Sequence, residues 1–336
     1  MKTILVTGGA GYIGTNVVNV LAKKKYNVVV IDNFSNSKKT YINKLVELYP
    51  KQIKLIEEDI LNLDKLNKIF QSFKIDAVIH FAGKKYVAES FEKEEEYYLN
   101  NITATNVLLE AMSKNEVNKI VFSSSITVYG NCEKSSIKET QAYNPLSPYA
   151  SHKMIGEQMI KKWATKKGNS AVILRLSNPI GADSNLMLGE DSISGRQGLL
   201  PYLIESCCNN KPLVFNGNDH PTRDGTTIRD YIHVLDVAQA FTKAVGYKSN
   251  KSYNVFNIGT GGKGFTVLEV LSQVQKTLNK KMDFSFGPRR AGDASIIVSN
   301  IEKAEKILKH KSKQSLKNMV ESQYKFQVNK KEKTLY

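Results

Sequence analysis

The chain has 336 residues, 41% of them hydrophobic and 24% charged, a composition that builds a large core without staples and excludes a mini-protein or a disordered polymer. Its formal net charge of +16 raises the question of a nucleic-acid partner, but only six of the 48 basic residues are arginine, and the lysines are scattered along the whole chain. Solvated surface charge is the expected reading, with no specific nucleic acid bound.

No run approaches the roughly 18 apolar residues of a membrane helix, and Met1–Thr7 turns glycine-rich too soon for a signal peptide. A cytoplasmic protein with no membrane partner is expected. Cys132, Cys207 and Cys208 are an odd set, and none has a Cys or His neighbour at a metal spacing. They read as thiols in a reducing compartment, and no metal is expected.

In chain order, the β-prone runs Ile4–Val6, Val28–Ile31, Ile53–Ile56, Ala77–Ile79, Ile120–Phe122 and Ala171–Leu174 alternate with amphipathic stretches near 12–25, 64–73, 94–114 and 148–167. Continuous apolar strands separated by helices predict a parallel sheet covered on both faces, a Rossmann-like doubly wound α/β plan. Residues 1–177 are expected to form this unit, with a strand returning from the C-terminal half. Beyond it, Gly181–Gly198 is polar and glycine-rich, Pro201–Asn209 is helical, Asn216–Thr227 is turn-rich, and Phe284–Asp293 ends in a basic turn. Residues 178–336 are therefore read as a smaller mixed α/β lobe whose loops bind ligand, with a lysine-rich tail, 314–336, expected to fray.

The first strand runs into Thr7-Gly8-Gly9-Ala10-Gly11-Tyr12-Ile13-Gly14. Glycines at 8, 11 and 14 permit a tight turn, close backbone approach to phosphate, and close packing of helix on strand; the helix N-terminus then offers N–H groups to a pyrophosphate. Asp32 ends the next strand, 18 residues past Gly14, where a carboxylate binds the adenosine ribose. No arginine follows it, only Lys38 and Lys39, so NAD is expected over NADP.

Tyr149 and Lys153 are spaced i, i+4 at the start of the helix opened by Ser147-Pro148, and so share one face. A lysine ammonium and a positive nicotinamide ring both stabilise a phenolate, which makes such a tyrosine a usable base. Ser125 stands at the carboxyl end of the fifth strand, where open α/β sheets bind ligands, and is placed to donate to a substrate oxygen.

Together Thr7–Gly14, Tyr149-x-x-x-Lys153 and Ser125 resemble the extended short-chain dehydrogenase/reductases. More narrowly, Asp32-Asn33, His80–Gly83, Tyr97–Asn101, Ser123–Gly130, Arg229–His233 and Pro288–Asp293 resemble the UDP-glucose 4-epimerase family, in family order and across residues 2–310. The resemblance implies NAD contacts from Gly8, Gly11, Tyr12, Ile13, Gly14, Asp32, Asn33, Phe34, Ser35, Asn36, Ser37, Asp59, Ile60, Phe81, Ala82, Gly83, Lys84, Lys85 and Asn100. It implies a catalytic group of Ser125, Tyr149 and Lys153, the last binding the nicotinamide ribose. Asn178, Leu199, Val214, Phe215, Arg229, Arg290 and Asp293 would hold the nucleotide sugar, and an arginine suits a diphosphate through its forked hydrogen bonds.

The implied reaction interconverts UDP-galactose and UDP-glucose in galactose metabolism. Tyr149 takes the proton of the 4-hydroxyl while hydride leaves carbon 4 for NAD, and the resulting 4-keto sugar turns over and takes the hydride back on its other face. The resemblance also implies a homodimer through the helices near 94–114 and 148–167.

Three positions depart from the family pattern. Leu176-Ser177 replaces an aromatic pair, which puts Ser177 at the nicotinamide side. Gly198 replaces a substrate asparagine, so contact there must use the backbone. Ile297 stands where the family limits sugar size, and being smaller than tyrosine it is expected to admit an N-acetylated sugar. Dehydratases and decarboxylases need an acid just after the catalytic serine or threonine, and Ile126-Thr127 disfavours both. The alternatives are a 4-epimerase of UDP-N-acetylhexosamine or UDP-pentose and, more remotely, a non-catalytic redox-sensing relative or a nonspecific RNA binder.

Overall fold

The computed structural model describes residues 1–334 other than 132–135, 184, 186, 187, 192, 194–196 and 291, with the main chain alone for 331–334; Cys132 lies outside the described residues. Seven strands form one parallel sheet: β1 (Thr3–Thr7), β2 (Asn27–Asp32), β3 (Ile53–Glu57), β4 (Ala77–His80), β5 (Lys119–Ser125), β6 (Ser170–Leu176) and β7 (Tyr253–Ile258). Their spatial order is β7-β6-β5-β4-β1-β2-β3. The order reverses between β1 and β4, and a crevice opens there at the carboxyl ends of the strands. All pairings are parallel, so Thr7, Asp32, His80, Ser125 and Leu176 arrive at one edge.

Side chains alternate along each strand between two cores. Ile4, Val6, Val28 and Val30 face the helices Tyr12–Lys23, Lys39–Leu48 and Val234–Gly246. Leu5, Val29 and Ile31 face the helices Leu63–Ser72, Ala104–Lys114 and Pro148–Ala164. Burial on both faces explains why the strands read as unbroken apolar runs; each fully buried Val, Leu or Ile contributes about 1.5–3 kcal/mol.

The chain leaves this unit after β6 and returns to it. The helix Val234–Gly246 lays Phe241 and Ala244 into the first core, and β7 pairs with β6 at the sheet edge. Between and after these segments a third core gathers Leu203, Ile204, Leu213, Phe215, Val270, Leu271 and Val274. Short strand pairs frame it: Leu213–Asn216 with Phe284–Gly287, Asn178–Ile180 with Tyr231–His233, and Ile228–Arg229 between Phe265–Thr266 and Ile296–Ile297.

Two expectations need correction. The stretch 94–114 is not one regular helix: Glu94–Tyr98 and Ala104–Lys114 flank a π turn at Leu99–Thr103. The tail does not fray over its described length, because Leu316–Thr334 is a helix that seals the third core with Met319 and Val320 and buries Phe326. Lys317 and Lys325 are exposed beside that apolar stripe, and the lysine-rich composition hid the helix.

Candidate active site

A cavity of about 410 Å³ follows the crevice at the carboxyl edge of the sheet. Gly8 forms its floor with φ +66°, and a Cβ there would lie 2.6 Å from the Ala82 backbone nitrogen. A Cβ on Gly14 would lie 2.6 Å from the Gly8 carbonyl, so the helix can sit this close to the strand only without one. That helix, Tyr12–Lys23, has Gly11 as its N-cap, no side-chain cap, and no acid in its first turn. Its N-terminal N–H groups are thus left for an anion in the cavity.

Asp32 closes β2 with both oxygens engaged. Oδ2 accepts from the Ala10 N–H (2.9 Å), and Oδ1 accepts from the Phe34 N–H (2.9 Å) and the Ser37 hydroxyl (2.8 Å). The carboxylate is thereby fixed beside the glycine turn, at the sequence separation from Gly14 that a ribose-binding acid has. An uncapped helix end, a glycine floor and a fixed carboxylate fit a dinucleotide.

At the other end of the cavity Tyr149 and Lys153 rise from the helix Pro148–Ala164, which Ser147 caps by accepting from the Ala150 N–H (3.2 Å). The Lys153 ammonium is buried, donates to the Ser123 carbonyl (2.8 Å), and lies 5.9 Å from the centre of the Tyr149 ring. Burial pulls its pKa down to about 8, against the opposing charge of Glu157. Burial raises the Tyr149 phenol above its ordinary value, while Ser125 and the Lys85 charge pull it back.

Ser125 is oriented by Thr127. Its oxygen accepts from the Thr127 N–H (3.2 Å) and the Thr127 hydroxyl (2.9 Å), so its own proton is left to donate. Ile126 packs into a small core with Val128 and Tyr129, while Thr127 lines the cavity, so neither residue after Ser125 presents an acid to it.

His80, at the end of β4, has a defined tautomer. Thr105 spends its hydroxyl proton on the Asn101 carbonyl (2.6 Å), so His80 Nε2 donates to it (3.0 Å) and Nδ1 accepts from Thr7 (2.7 Å). Burial, reinforced by the Lys153 charge, lowers its pKa to about 3; burial, with Lys243 nearby, lowers that of His310 to about 4. Both are neutral when folded. The unfolded chain takes up protons that the folded chain refuses as pH falls through about 6.5, and stability is lost from there toward pH 3–4. Denaturant unfolding at pH 7 and pH 5 is expected to differ by about 4 kcal/mol from these two histidines, and an unchanged stability would contradict their neutral burial.

A second cavity, about 660 Å³, joins the first at Asn178, Gly198, Leu199 and Tyr231. It carries Arg229, Arg290, Asp293, Val214 and Phe215. Arg229 is steadied by Asp293 (3.4 Å) and by the Ile228 carbonyl (2.9 Å). The Arg290 guanidinium faces the Asn216 amide, whose oxygen, in the orientation that satisfies both groups, accepts from Nε (2.9 Å). Two arginines at one end and a tyrosine–lysine–serine group at the other define a cleft for an anionic, two-part ligand.

The two cavities are lined by the expected residues with two exceptions. Phe34 adopts φ +55° and turns its ring under the Lys39 ammonium, 5.0 Å away, instead of into the cavity. Ile297 is buried beside Ile126 and Ala294 on the short strand that pairs with Arg229, and lines neither cavity. Ser177 does reach the cavity wall, but its hydroxyl is tied to Asp230 (2.9 Å) and Ser299 (3.1 Å). At Gly198 a Cβ would fall 2.6 Å from Glu190 Oε2.

Sequence reasoning missed the segment that covers the cleft. Glu190 accepts from Lys85 (2.9 Å) and Asp191 from Lys38 (2.9 Å), and all four residues line the cavity. Two adjacent acids after Gly189, inside a glycine-rich loop, were the available signal. Asn101 was also missed: from the π turn it accepts from the Lys84 N–H (2.7 Å) and donates to the Lys84 carbonyl (3.1 Å), which fixes the loop after β4.

Comparison with known proteins gives a consistent result. A model of the NAD dependent epimerase/dehydratase family matches residues 4–259. The UDP-glucose 4-epimerase of Bacillus subtilis (strain 168) is 39% identical over 327 residues, covering 96% of each chain. Among solved structures, the UDP-glucose 4-epimerase of Bifidobacterium longum in complex with NAD+ and UDP superposes with a TM-score of 0.93 at 36% identity, over 98% of each chain. That of Stenotrophomonas maltophila, with bound NAD and formylated UDP-arabinopyranose, superposes with 0.94 at 32% identity, over 99% of this chain and 100% of the other.

Proposed function

The chain belongs to the NAD dependent epimerase/dehydratase family, and from that premise we propose that it interconverts UDP-galactose and UDP-glucose by inverting carbon 4. NAD-dependent 4-epimerisation of a UDP-hexose is the activity of its full-length relatives, and NAD is the cofactor. The observation that carries the reading is the meeting of Ser125, Tyr149 and Lys153 where a dinucleotide cavity joins an arginine-lined one.

When bound, NAD supplies the hydride acceptor and donor for carbon 4. Tyr149 takes the proton of the 4-hydroxyl and later returns it. Ser125, its acceptor sites filled by Thr127, donates to the same oxygen throughout and favours the form with most charge on it. Lys153 keeps a positive charge beside the phenol, anchored on the Ser123 carbonyl. Arg229 and Arg290 hold the diphosphate, so the transient 4-keto sugar turns while its nucleotide stays in place. The Lys85–Glu190 pair stands at the cavity wall, 2.9 Å apart.

The test is to follow UDP-galactose by proton NMR with purified protein and no added cofactor, while assaying the nucleotide released on denaturation. Conversion to UDP-glucose together with stoichiometric NAD is expected. Failure to convert UDP-galactose after NAD addition, with turnover of UDP-N-acetylglucosamine or UDP-xylose instead, would reassign the substrate.

We also propose a homodimer in a reducing cytoplasm. Phe91, Tyr98 and Leu99 expose about half of their surface on the helices Val87–Glu92 and Glu94–Tyr98 and the π turn, beside His152 of the helix Pro148–Ala164. This is an apolar face suited to a second copy. Cys207 and Cys208 are free thiols. Light scattering at micromolar concentration is expected to give twice the chain mass; a monomer would overturn the dimer.

A further inference from the structure

Asp191 is the most heavily engaged acid at the adenosine end of the cleft. Its side chain is 7% exposed, and it accepts from Lys38 Nζ on both oxygens (2.9 Å each), from the Tyr41 hydroxyl (2.5 Å) and from Lys330 Nζ (2.7 Å). These donors come from three places: the turn that follows Asp32, the helix Lys39–Leu48, and the C-terminal helix. Burial works to raise the Asp191 pKa, but the bonds from Lys330, Tyr41 and Lys38 outweigh it and hold the carboxyl below its usual range.

Lys38 has the position from which a cation meets a phosphate on the adenosine 2′-oxygen. It follows Ser37, which bonds Asp32, and it lines the cavity with Asn33, Ser35 and Asn36. Its neighbour Lys39 is paired outward with Glu57 (2.5 Å). Asp32 alone disfavours a 2′-phosphate, but a nearby cation offsets such repulsion. Here that cation is drawn onto Asp191, and a second carboxylate stands at the cavity wall in its place.

We propose that Asp191 is a cofactor-specificity residue: by holding Lys38 it denies a 2′-phosphate that cation in the turn after Asp32, and so enforces NAD over NADP. This rests on NAD being the cofactor. It goes beyond that reading in assigning selectivity to a residue of the covering loop, far in sequence from the ribose carboxylate.

The experiment is a fluorescence titration of nucleotide-stripped protein with NADH and with NADPH. Asp191→Asn keeps the shape and the bond to Tyr41 while releasing Lys38, and is expected to raise the NADPH:NADH affinity ratio about tenfold, the worth of one charge-assisted contact. Adding Lys38→Met to Asp191→Asn is expected to abolish that gain. A ratio unchanged in Asp191→Asn, both affinities falling together, or a gain that survives the loss of Lys38 would each overturn the proposal, leaving Asp191 a structural latch. If Asp191→Asn does not fold, Lys38→Met alone serves. It leaves Asp191 less neutralised and is expected to lower the ratio; an unchanged or higher ratio overturns the proposal. Failure of the unaltered protein to bind NADH would instead sink the cofactor reading, and this proposal with it.

Discussion

Replacement of Tyr149 by phenylalanine is expected to lower turnover of the UDP-hexose by 10²–10⁴-fold, the usual range for a lost acid–base group, while NAD stays bound. The phenol is buried, Ser125 and the Lys85 charge both act to lower its pKa, and the Lys153 ammonium lies 5.9 Å from its ring centre. Its ring packs on the cavity wall independently of its oxygen, so the Phe variant keeps the cavity shape. The measurement is the single-turnover rate together with the NAD content of the purified variant. Loss of NAD in parallel with activity would show that Tyr149 acts through binding, and retained turnover would remove it as the base.

The second large effect lies beneath the site. Glu157, fully buried one helical turn below Lys153, accepts from Ser124 (2.5 Å), Tyr143 (2.8 Å) and the Arg175 guanidinium (2.6 Å to Nη2). Arg175 in turn donates to Tyr129 (2.6 Å) and lies over the Tyr129 and Tyr143 rings. Glu157→Leu leaves a buried guanidinium without its counter-charge, at an expected cost of about 3–5 kcal/mol in denaturant unfolding. The double variant with Arg175→Met is expected to recover much of that loss, because two apolar side chains need no compensation. The single variant also removes the Glu157 charge that supports protonated Lys153, so its turnover is expected to fall even where it remains folded. A double variant as unstable as the single one would mean that the pair is not the unit of stability.

What the amino-acid pattern disclosed follows from range. Strands such as Val28–Ile31 are apolar on both faces, and the Gly8–Gly14 run and the Tyr149–Lys153 spacing are complete within one turn or one helix, so local sequence carried them. Arg175 and Glu157 are 18 residues apart on different elements, and each alone reads as an ordinary surface charge. Asp230 accepts from Ser177, Thr260 and Ser299, contributions that only the folded chain brings together. That network also explains Ser177: the aromatic residue expected there would displace a buried polar knot. Ile297 depends on range in the same way, because pairing of Ile296–Ile297 with the distant Ile228–Arg229 directs the side chain into a core.

The return of the chain to its own first unit bears on how the molecule is made. When synthesis reaches Leu176, the nascent chain holds six strands of the sheet, but the outer edge of β6 has no partner and Phe241, Phe256 and Ile258 are still missing from the first core. The nucleotide-binding half cannot close until Tyr253–Ile258 has left the ribosome, with the whole Asn178–Tyr231 segment held out as an excursion. At five to twenty residues per second, an unpaired parallel edge stands open for several seconds in each translation cycle, the interval in which another nascent chain can add to it. The two lobes are thus joined in time as well as in space: Arg229 emerges before the sheet is complete, and Arg290 and the helix Leu316–Thr334 only after it.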